Sequence, residues 1–279
     1  MKQLTSVTGR DLKEMFSTAT VWLEKNASAV DAINVFPVPD GDCGRNMLLT
    51  MRSAMEAAYQ APNQSATSVI KAIAHGALLG ARGNSGVILS QILNGLAKGL
   101  EGKESFTAKE LAEALTEASQ TAYRALSKPV EGPILTVIRD VATAAQIAAS
   151  EKPEDLKSIF EAVVKAAEQS VAKTPLLLPV LREAGVVDAG GQGLYVLLDG
   201  ALRYLRGETV ETLGRVEPVA PTSPLTYEAM QAGLAVGIGS AIWGGLLNKD
   251  AFSALNAGIA GFDGLVQGLG EVSPGLWKI

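Results

Sequence analysis

The sequence predicts an all-α protein built as a bundle of antiparallel helices, and three observations support this class. Apolar residues recur at helical spacing along most of the chain up to about residue 207. The composition is 47% hydrophobic but only 5% aromatic, which favours closely packed helices over sheets. Short connections separate the helical stretches, so the pattern predicts about seven or eight antiparallel helices.

Composition also excludes several classes of protein. The formal net charge is −5 and no Lys/Arg cluster occurs, so we expect no nucleic-acid partner. A single cysteine excludes an internal disulfide framework and a zinc site with several thiolates. The first residues, MKQLTSVTGRDLKEMF, lack the apolar core of a signal peptide, which indicates a cytoplasmic location.

The first half of the bundle contains four predicted helices. Residues 8–33 form the first, and a second begins at Asn46, after an aspartate-rich loop, and ends before Ala61. Helices over 69–79 and 87–100 follow, separated by a glycine-rich break.

The second half continues the pattern. Residues 107–126 predict a helix that opens on TAKE, which has the form of a capping box. Further helices are predicted over 134–150 and over 151–174, the latter with Pro153 near its start. A short broken segment then leads to a last helix over 194–205.

The bundle predicts a first domain of residues 1–207, and the composition changes after it. Residues 208–226 are rich in proline and threonine and predict a linker. Residues 227–279 form a glycine-rich, apolar, helical tail. This tail could be a buried helical hairpin, a contact that forms a homo-oligomer, or a poorly ordered segment. A membrane-associated segment is the weakest interpretation, because the tail contains many glycines and is only modestly hydrophobic.

The aspartate-rich loop, NVFPVPDGDCGRNM, carries the first candidate site. It does not fit the calcium-binding EF-hand, whose fifth and twelfth ligand positions would fall on Gly44 and Met51. Asp40 and Asp42 are also too close in sequence to flank a sugar bond. They suit Mg²⁺, with Asn34 as a further oxygen ligand and a helix N-terminus beside them. A turn whose aspartates cap the following helix is the alternative.

A second motif, GALLGARGNSGVILSQ, is a glycine-rich break between two helices. It matches neither a Walker loop nor a dinucleotide fingerprint. Its backbone N–H groups and the Ser85 hydroxyl are suited to phosphate oxygens, and the alternative is a turn that allows close helix packing. VVDAGGQG, residues 186–193, repeats the theme at another helix start. If alternate connections lie at one end, the three segments converge there.

Four segments, INVFPVPDGDCGRNM, HGALLGARGNSGVILSQ, KPVEGPILTVIRD and VVDAGGQGL, together resemble the nucleotide-binding (DhaL-like) domain of the dihydroxyacetone kinase family. The nearest branch is the kinase subunit of bacterial fatty acid kinase. The resemblance covers residues 5–207. It implies a closed barrel of antiparallel helices, with ATP or ADP and two Mg²⁺ ions at one end.

The resemblance assigns roles to particular residues. Asp40 and Asp42 would be catalytic metal ligands, with Asn34 as a third ligand. The residues implied to contact the nucleotide are Cys43, Gly44, Asn46, Met47, Gly83, Asn84, Ser85, Gly86, Thr136, Val137, Asp188, Ala189 and Gly190. The fatty acid kinase pattern has threonines where this chain has Cys43 and Arg45. A helix N-terminus lowers thiol pKa, so Cys43 is a candidate reactive thiol. Arg82 either reaches a phosphate or faces solvent.

The implied activity is Mg²⁺-dependent phosphoryl transfer from ATP to an acyl (fatty acid) or related small substrate. A fatty-acid-binding partner protein would present that substrate. Proteins of this family normally continue into domains that engage the partner, and the tail of this chain does not resemble them. The alternatives are a nucleotide-binding regulator without transfer activity and a structural oligomer.

Overall fold

The fold of the chain is seen in a computed structural model, which describes residues 5–62, 65–126, 133–208 and 219–221. Within these ranges the helices are α1 (Gly9–Ala32), α2 (Cys43–Gln60), α3 (Ala66–Leu79), α4 (Gly83–Gly99), α5 (Ala108–Arg124), α6 (Ile134–Glu151), α7 (Leu156–Leu177), α8 (Pro179–Ala184) and α9 (Ala189–Arg206). Two short strands, β1 (Val7–Thr8) and β2 (Ser105–Phe106), pair antiparallel. The prediction of an all-α protein is confirmed.

The eight long helices form a closed ring, and the short α8 connects α7 to α9. Each long helix packs beside the next one along the chain, and α9 packs against both α7 and α1. Because the connections are short, successive helices run in opposite directions. The N-termini of α2, α4, α6 and α9 therefore lie at one end of the barrel.

Capping explains where several helices begin. Thr8, Ser65 and Thr107 each form a capping box at the start of α1, α3 and α5, as the TAKE segment predicts for Thr107. The start predicted for α7 was wrong, because Asp155 caps it and Pro153 lies outside. This helix also continues through Pro175 to its end at Leu177, so the predicted break falls later.

Four helices begin earlier than their apolar patterns predict, because their first turns are made of small and polar residues. They are α2 at Cys43, α3 at Ala66, α4 at Gly83 and α9 at Ala189. A Cβ atom at Gly44 would collide with the Ala27 carbonyl of α1, and one at Gly86 with the Thr50 hydroxyl of α2. Close packing therefore requires glycine at these two positions.

Buried apolar side chains from all eight long helices fill the barrel. They enclose a cavity of about 90 Å³ with an apolar lining that includes Phe16, Met51 and Phe160. Among the described residues, no helix is both long and apolar enough to cross a bilayer. Residues 222–279, with the predicted tail, and residues 209–218 of the predicted linker lie outside the described part.

Candidate functional site

A polar cavity of about 170 Å³ opens where α2 and α4 begin. The loop that follows α1 supplies one wall, and the turn between α3 and α4 supplies the other. Its lining residues are Asn34, Pro37, Val38, Asp40, Asp42, Cys43, Asn46, Gly83, Asn84 and Ser85. The two motifs that lie some forty residues apart in sequence thus meet in one place.

The two aspartates of the loop face neighbouring amides instead of capping the helix. Asn34 donates from Nδ2 to Asp40 Oδ1 at 2.8 Å, and Asn46 donates from Nδ2 to Asp42 Oδ1 at 2.7 Å. Asp42 is the N-cap residue of α2, but its side chain makes no capping hydrogen bond. The Asp42 side chain therefore does not cap α2, and both carboxylates keep oxygens for other ligands.

Asn34 stabilises the backbone of the aspartate-rich loop as well as orienting the Asp40 carboxylate. Its Nδ2 also donates to the Val38 carbonyl at 2.9 Å, and the residue is buried. Among the described residues, no three His, Cys, Asp or Glu side chains form a group able to hold a metal ion. A cation at this site would therefore depend on two carboxylates, Asp40 and Asp42, completed by amide, backbone or ligand oxygens.

Sequence reasoning missed Asp31 as part of the site. This residue lies near the end of α1, and its Oδ1 accepts a hydrogen bond from the Arg45 backbone N–H at 3.1 Å. It thereby satisfies one free donor in the first turn of α2. No sequence signal identified Asp31, because acidic residues are common on the solvent-exposed faces of helices.

Cys43 links the two walls of the cavity through its side chain. Its Sγ lies 2.9 Å from Ser85 Oγ, and the residue is only 3% exposed. Burial raises the pKa of the Cys43 thiol to about 12, with a smaller contribution from the charges of Asp188, Asp31 and Asp42, although the hydrogen bond with Ser85 lowers it. A reactive cysteine is an exposed thiolate with a lowered pKa, so burial and a raised pKa both argue against a reactive Cys43.

A buried hydroxyl fixes α4 against α2 beside the cavity. Thr50 Oγ1 donates to the Asn46 carbonyl at 2.8 Å and accepts from the Arg82 backbone N–H at 3.2 Å. Next to it, Gly83 has φ +56°, and a Cβ atom there would collide with Asn46 Nδ2. The turn between α3 and α4 is thus held in one position relative to the aspartate loop.

Asp188 joins the N-termini of two other helices behind the cavity. Its side chain accepts from the Gly191 N–H of α9 at 2.6 Å and from the Ile134 N–H of α6. Burial raises the pKa of Asp188 to about 6, although both hydrogen bonds lower it. The α9 helix packs against both α2 and α6, and the charge of Asp188 contributes to the raised pKa of Cys43 in α2.

The predicted residues therefore divide into two groups. Those at the cavity are Asn34, Asp40, Asp42, Cys43, Asn46, Gly83, Asn84 and Ser85. The others pack in the layer behind, outside its lining: Gly44, Met47, Gly86, Thr136, Val137, Asp188, Ala189 and Gly190. Thr136 and Val137, for example, are 2% and 0% exposed. The KPVEG part of the third motif lies outside the described residues.

The cavity combines hard oxygen ligands with helix N-termini. Carboxylate and amide oxygens suit a hard divalent cation, and the free N–H groups of a first helical turn suit an anion. Both α2 and α4 lack a capping hydrogen bond from their N-cap side chains. The arrangement is chemically suited to holding a cation and an anionic group side by side.

Comparison of the sequence with known proteins gives a consistent result. A profile of the DAK2 domain family matches residues 37–203, more than half of the chain. Protein YloV of Bacillus subtilis is 49% identical over 207 residues, which cover 74% of this chain and 37% of YloV. An uncharacterized protein of Staphylococcus saprophyticus is 46% identical over 207 residues, again covering 74% of this chain and 37% of the relative.

Comparison of the fold points the same way. The crystal structure of the dihydroxyacetone kinase from C. freundii in complex with AMP-PNP and Mg²⁺ matches with a TM-score of 0.52 and 17% sequence identity. The match covers 69% of this chain and 33% of that one, and at this identity it concerns the fold alone. This chain spans little more than a third of the length of these relatives. On the match over residues 37–203, the chain belongs to the DAK2 domain family.

Proposed function

We propose that this chain binds ATP with Mg²⁺ at the polar cavity and transfers the terminal phosphoryl group of the nucleotide. The observation that carries this proposal is the meeting of the Asp40–Asp42 loop with the Gly83–Ser85 turn in one cavity between two helix N-termini. A carboxylate pair beside free backbone donors is the combination that phosphoryl transfer needs, because catalysis there is mostly positioning and electrostatics.

Asp40 and Asp42 are the proposed Mg²⁺ ligands. Their oxygens are hard donors at the cavity surface, and Asn34 and Asn46 fix the orientation of the two carboxylates. Mg²⁺ bound there would neutralise charge on the phosphate oxygens. Two ions, as in the resemblance to dihydroxyacetone kinases, would require phosphate oxygens to complete their ligands.

Phosphate binding is proposed for the first turns of α2 and α4. Asn84 and Ser85 present backbone N–H groups at the start of α4, where the N-cap side chain makes no hydrogen bond. Cys43, Gly44 and Asn46 occupy the matching turn of α2. The buried group that includes Thr136, Val137 and Asp188 would act by holding the helix ends together behind the phosphates.

The acceptor is proposed to be an acyl or related small substrate presented by a partner protein, and the site to work in the cytoplasm, where ATP is available. The cavity is polar and measures about 170 Å³, less than the 300–1,000 Å³ that is typical of ligand pockets. It suits the phosphate end of a nucleotide, so an apolar acceptor would have to approach from outside. A carrier protein can supply such an acceptor while keeping its apolar part out of water.

Calorimetric titration of ATP into the full chain, with and without Mg²⁺, tests the proposal. We expect Asp42→Asn and Asp40→Asn to abolish the Mg²⁺-dependent part of binding, because each removes half of the ionised ligand pair. Glu56→Gln is the matched control: it removes an exposed carboxylate from α2, outside the cavity lining, and should leave ATP binding unchanged.

Transfer is then measured with fatty acid and a candidate fatty-acid-binding protein. Binding without transfer to any acceptor would favour a regulator that retains only the nucleotide site. Absence of ATP binding by the unmodified chain would reject the nucleotide site altogether. Self-association that survives Asp40→Asn would then favour a structural oligomer.

A further inference from the structure

Among the residues that the structure describes, the charged side chains lining the cavity are the two carboxylates Asp40 and Asp42. A triphosphate brings several more negative charges to the same place, and like charges at short range repel one another. A bound divalent cation would offset part of this charge, and a cationic side chain at the rim of the cavity would favour triphosphate binding further.

Arg82 lies at that rim, with a fixed backbone and a free side chain. It is the N-cap residue of α4 and directly precedes Gly83, which lines the cavity. Its backbone N–H is held by the buried Thr50 hydroxyl at 3.2 Å. The side chain is exposed, and within the described ranges its guanidinium bonds only to the Ala81 carbonyl, at 3.3 Å.

The position of Arg82 is electrostatically unfavourable for the helix itself. A helix N-terminus carries partial positive charge, so a cation there is repelled. The first turn of α4 contains no acidic residue to offset it. Arg10 occupies a comparable place in α1, but Asp11 and a capping box lie in the same turn. A residue that breaks a local rule without local compensation often serves a function.

We propose that Arg82 binds oxygens of the terminal phosphoryl group of the nucleoside triphosphate. This inference rests on the proposed function and names the side chain that meets the group to be transferred. A guanidinium can donate two parallel hydrogen bonds to phosphate, which fixes orientation as well as charge. Lysine in its place would keep the charge and lose the paired geometry.

Calorimetric titration of ATP and of AMP, both with Mg²⁺, compares Arg82→Gln, Arg82→Lys and the control Arg10→Gln in the full chain. We expect Arg82→Gln to weaken ATP binding about tenfold or more, the effect of losing a charged hydrogen bond. The affinity of Arg82→Gln for AMP should not change. The affinity of Arg82→Lys for ATP should lie between those of the unmodified chain and Arg82→Gln, and Arg10→Gln should bind ATP normally. Without nucleotide, Arg82→Gln should unfold at the same or a higher temperature, since it removes a cation from a positive helix end.

The possible results separate this inference from the function on which it rests. If the unmodified chain fails to bind ATP, both are rejected. If it binds ATP and Arg82→Gln binds equally well, only the role of Arg82 is rejected. Equal losses of ATP and AMP binding, together with a lower unfolding temperature without nucleotide, would mean that Arg82 supports the fold and would also overturn the inference.

Discussion

Asp188 is a single carboxylate that completes the N-termini of two helices. It accepts one hydrogen bond from α9, at Gly191, and one from α6, at Ile134, while its own N–H is bonded to Thr174 Oγ1 at 2.9 Å. Asp188 is 3% exposed, so its ionised form lacks the favourable solvation that water would provide. Asp188 therefore caps two helices, and the free-energy cost of burying its ionised carboxylate depends on pH.

This penalty predicts a pH-dependent stability. Burial raises the pKa of Asp188 from 3.8 to about 6, so the folded protein holds this proton more tightly than the unfolded chain. Stability from this group is therefore greatest at low pH and falls as pH rises from about 4 to about 6, by roughly 3 kcal/mol. Asp188→Asn stays neutral and should lose this decline.

Urea unfolding of both proteins between pH 4 and pH 7 measures the effect. The difference between the unfolding free energies of the two proteins cancels the titration of the other carboxylates, which both share. Parallel stability profiles across this range would show that Asp188 has an ordinary pKa in the fold.

The α4 and α5 helices approach each other through glycines on one face of α4. A Cβ atom at Gly95 would collide with Ala118 Cα, and one at Gly99 would lie against Ala114. Small residues four positions apart lie on the same side of a helix, so the two backbones come into close contact. The same contact holds α4 in place, with the cavity at its N-terminus.

Gly95→Ala should therefore destabilise the protein, although alanine is the better helix former. The added methyl group must displace backbone, which typically costs about 1–3 kcal/mol, while the gain in helix propensity is about 1 kcal/mol. We expect a net loss of roughly 1–2 kcal/mol in unfolding free energy. Lys98→Ala, on the exposed side of α4, should change it by less than about 0.5 kcal/mol. Unchanged stability of Gly95→Ala would mean that the two helices can separate freely.

Closure of the barrel depends on contact between its first and last long helices. Trp22 of α1 donates from Nε1 to Asp199 Oδ2 of α9 at 2.9 Å. Arg203 donates to the same oxygen at 2.8 Å, and its guanidinium lies 4.2 Å from the centre of the Trp22 ring. This cluster joins residues that are 177 positions apart and completes the ring.

Removal of the central carboxylate should weaken the whole molecule. Asp199→Ala leaves the buried Trp22 N–H without its acceptor, while Arg203 keeps its ion pair with Glu208, for an expected loss of roughly 1–3 kcal/mol. The control is Glu24→Ala, which breaks an ion pair with Arg52 whose side chains are about half exposed. That loss should stay below about 1 kcal/mol. Chemical denaturation compares the two, and equal effects would show that the Trp22 cluster contributes nothing special to closure.

The sequence by itself determined the helical class, the approximate helices and the two motifs of the cavity. Apolar spacing follows directly from which helix face is buried, so it is legible without a structure. Asp40 and Asp42 were identifiable because charge, proline and glycine are concentrated in one short loop.

Only the tertiary structure decided which neighbours act on these residues. Asp31 and Thr50 lie inside helices, where their residue types are ordinary, and they became part of the site because α1, α2 and α4 pack together. Likewise, local sequence favoured a reactive Cys43, and burial of its side chain among the packed helices argues against that expectation. The physical reason is that desolvation and hydrogen bonding depend on the distances between helices. The spacing of apolar residues along one helix carries no information on those distances.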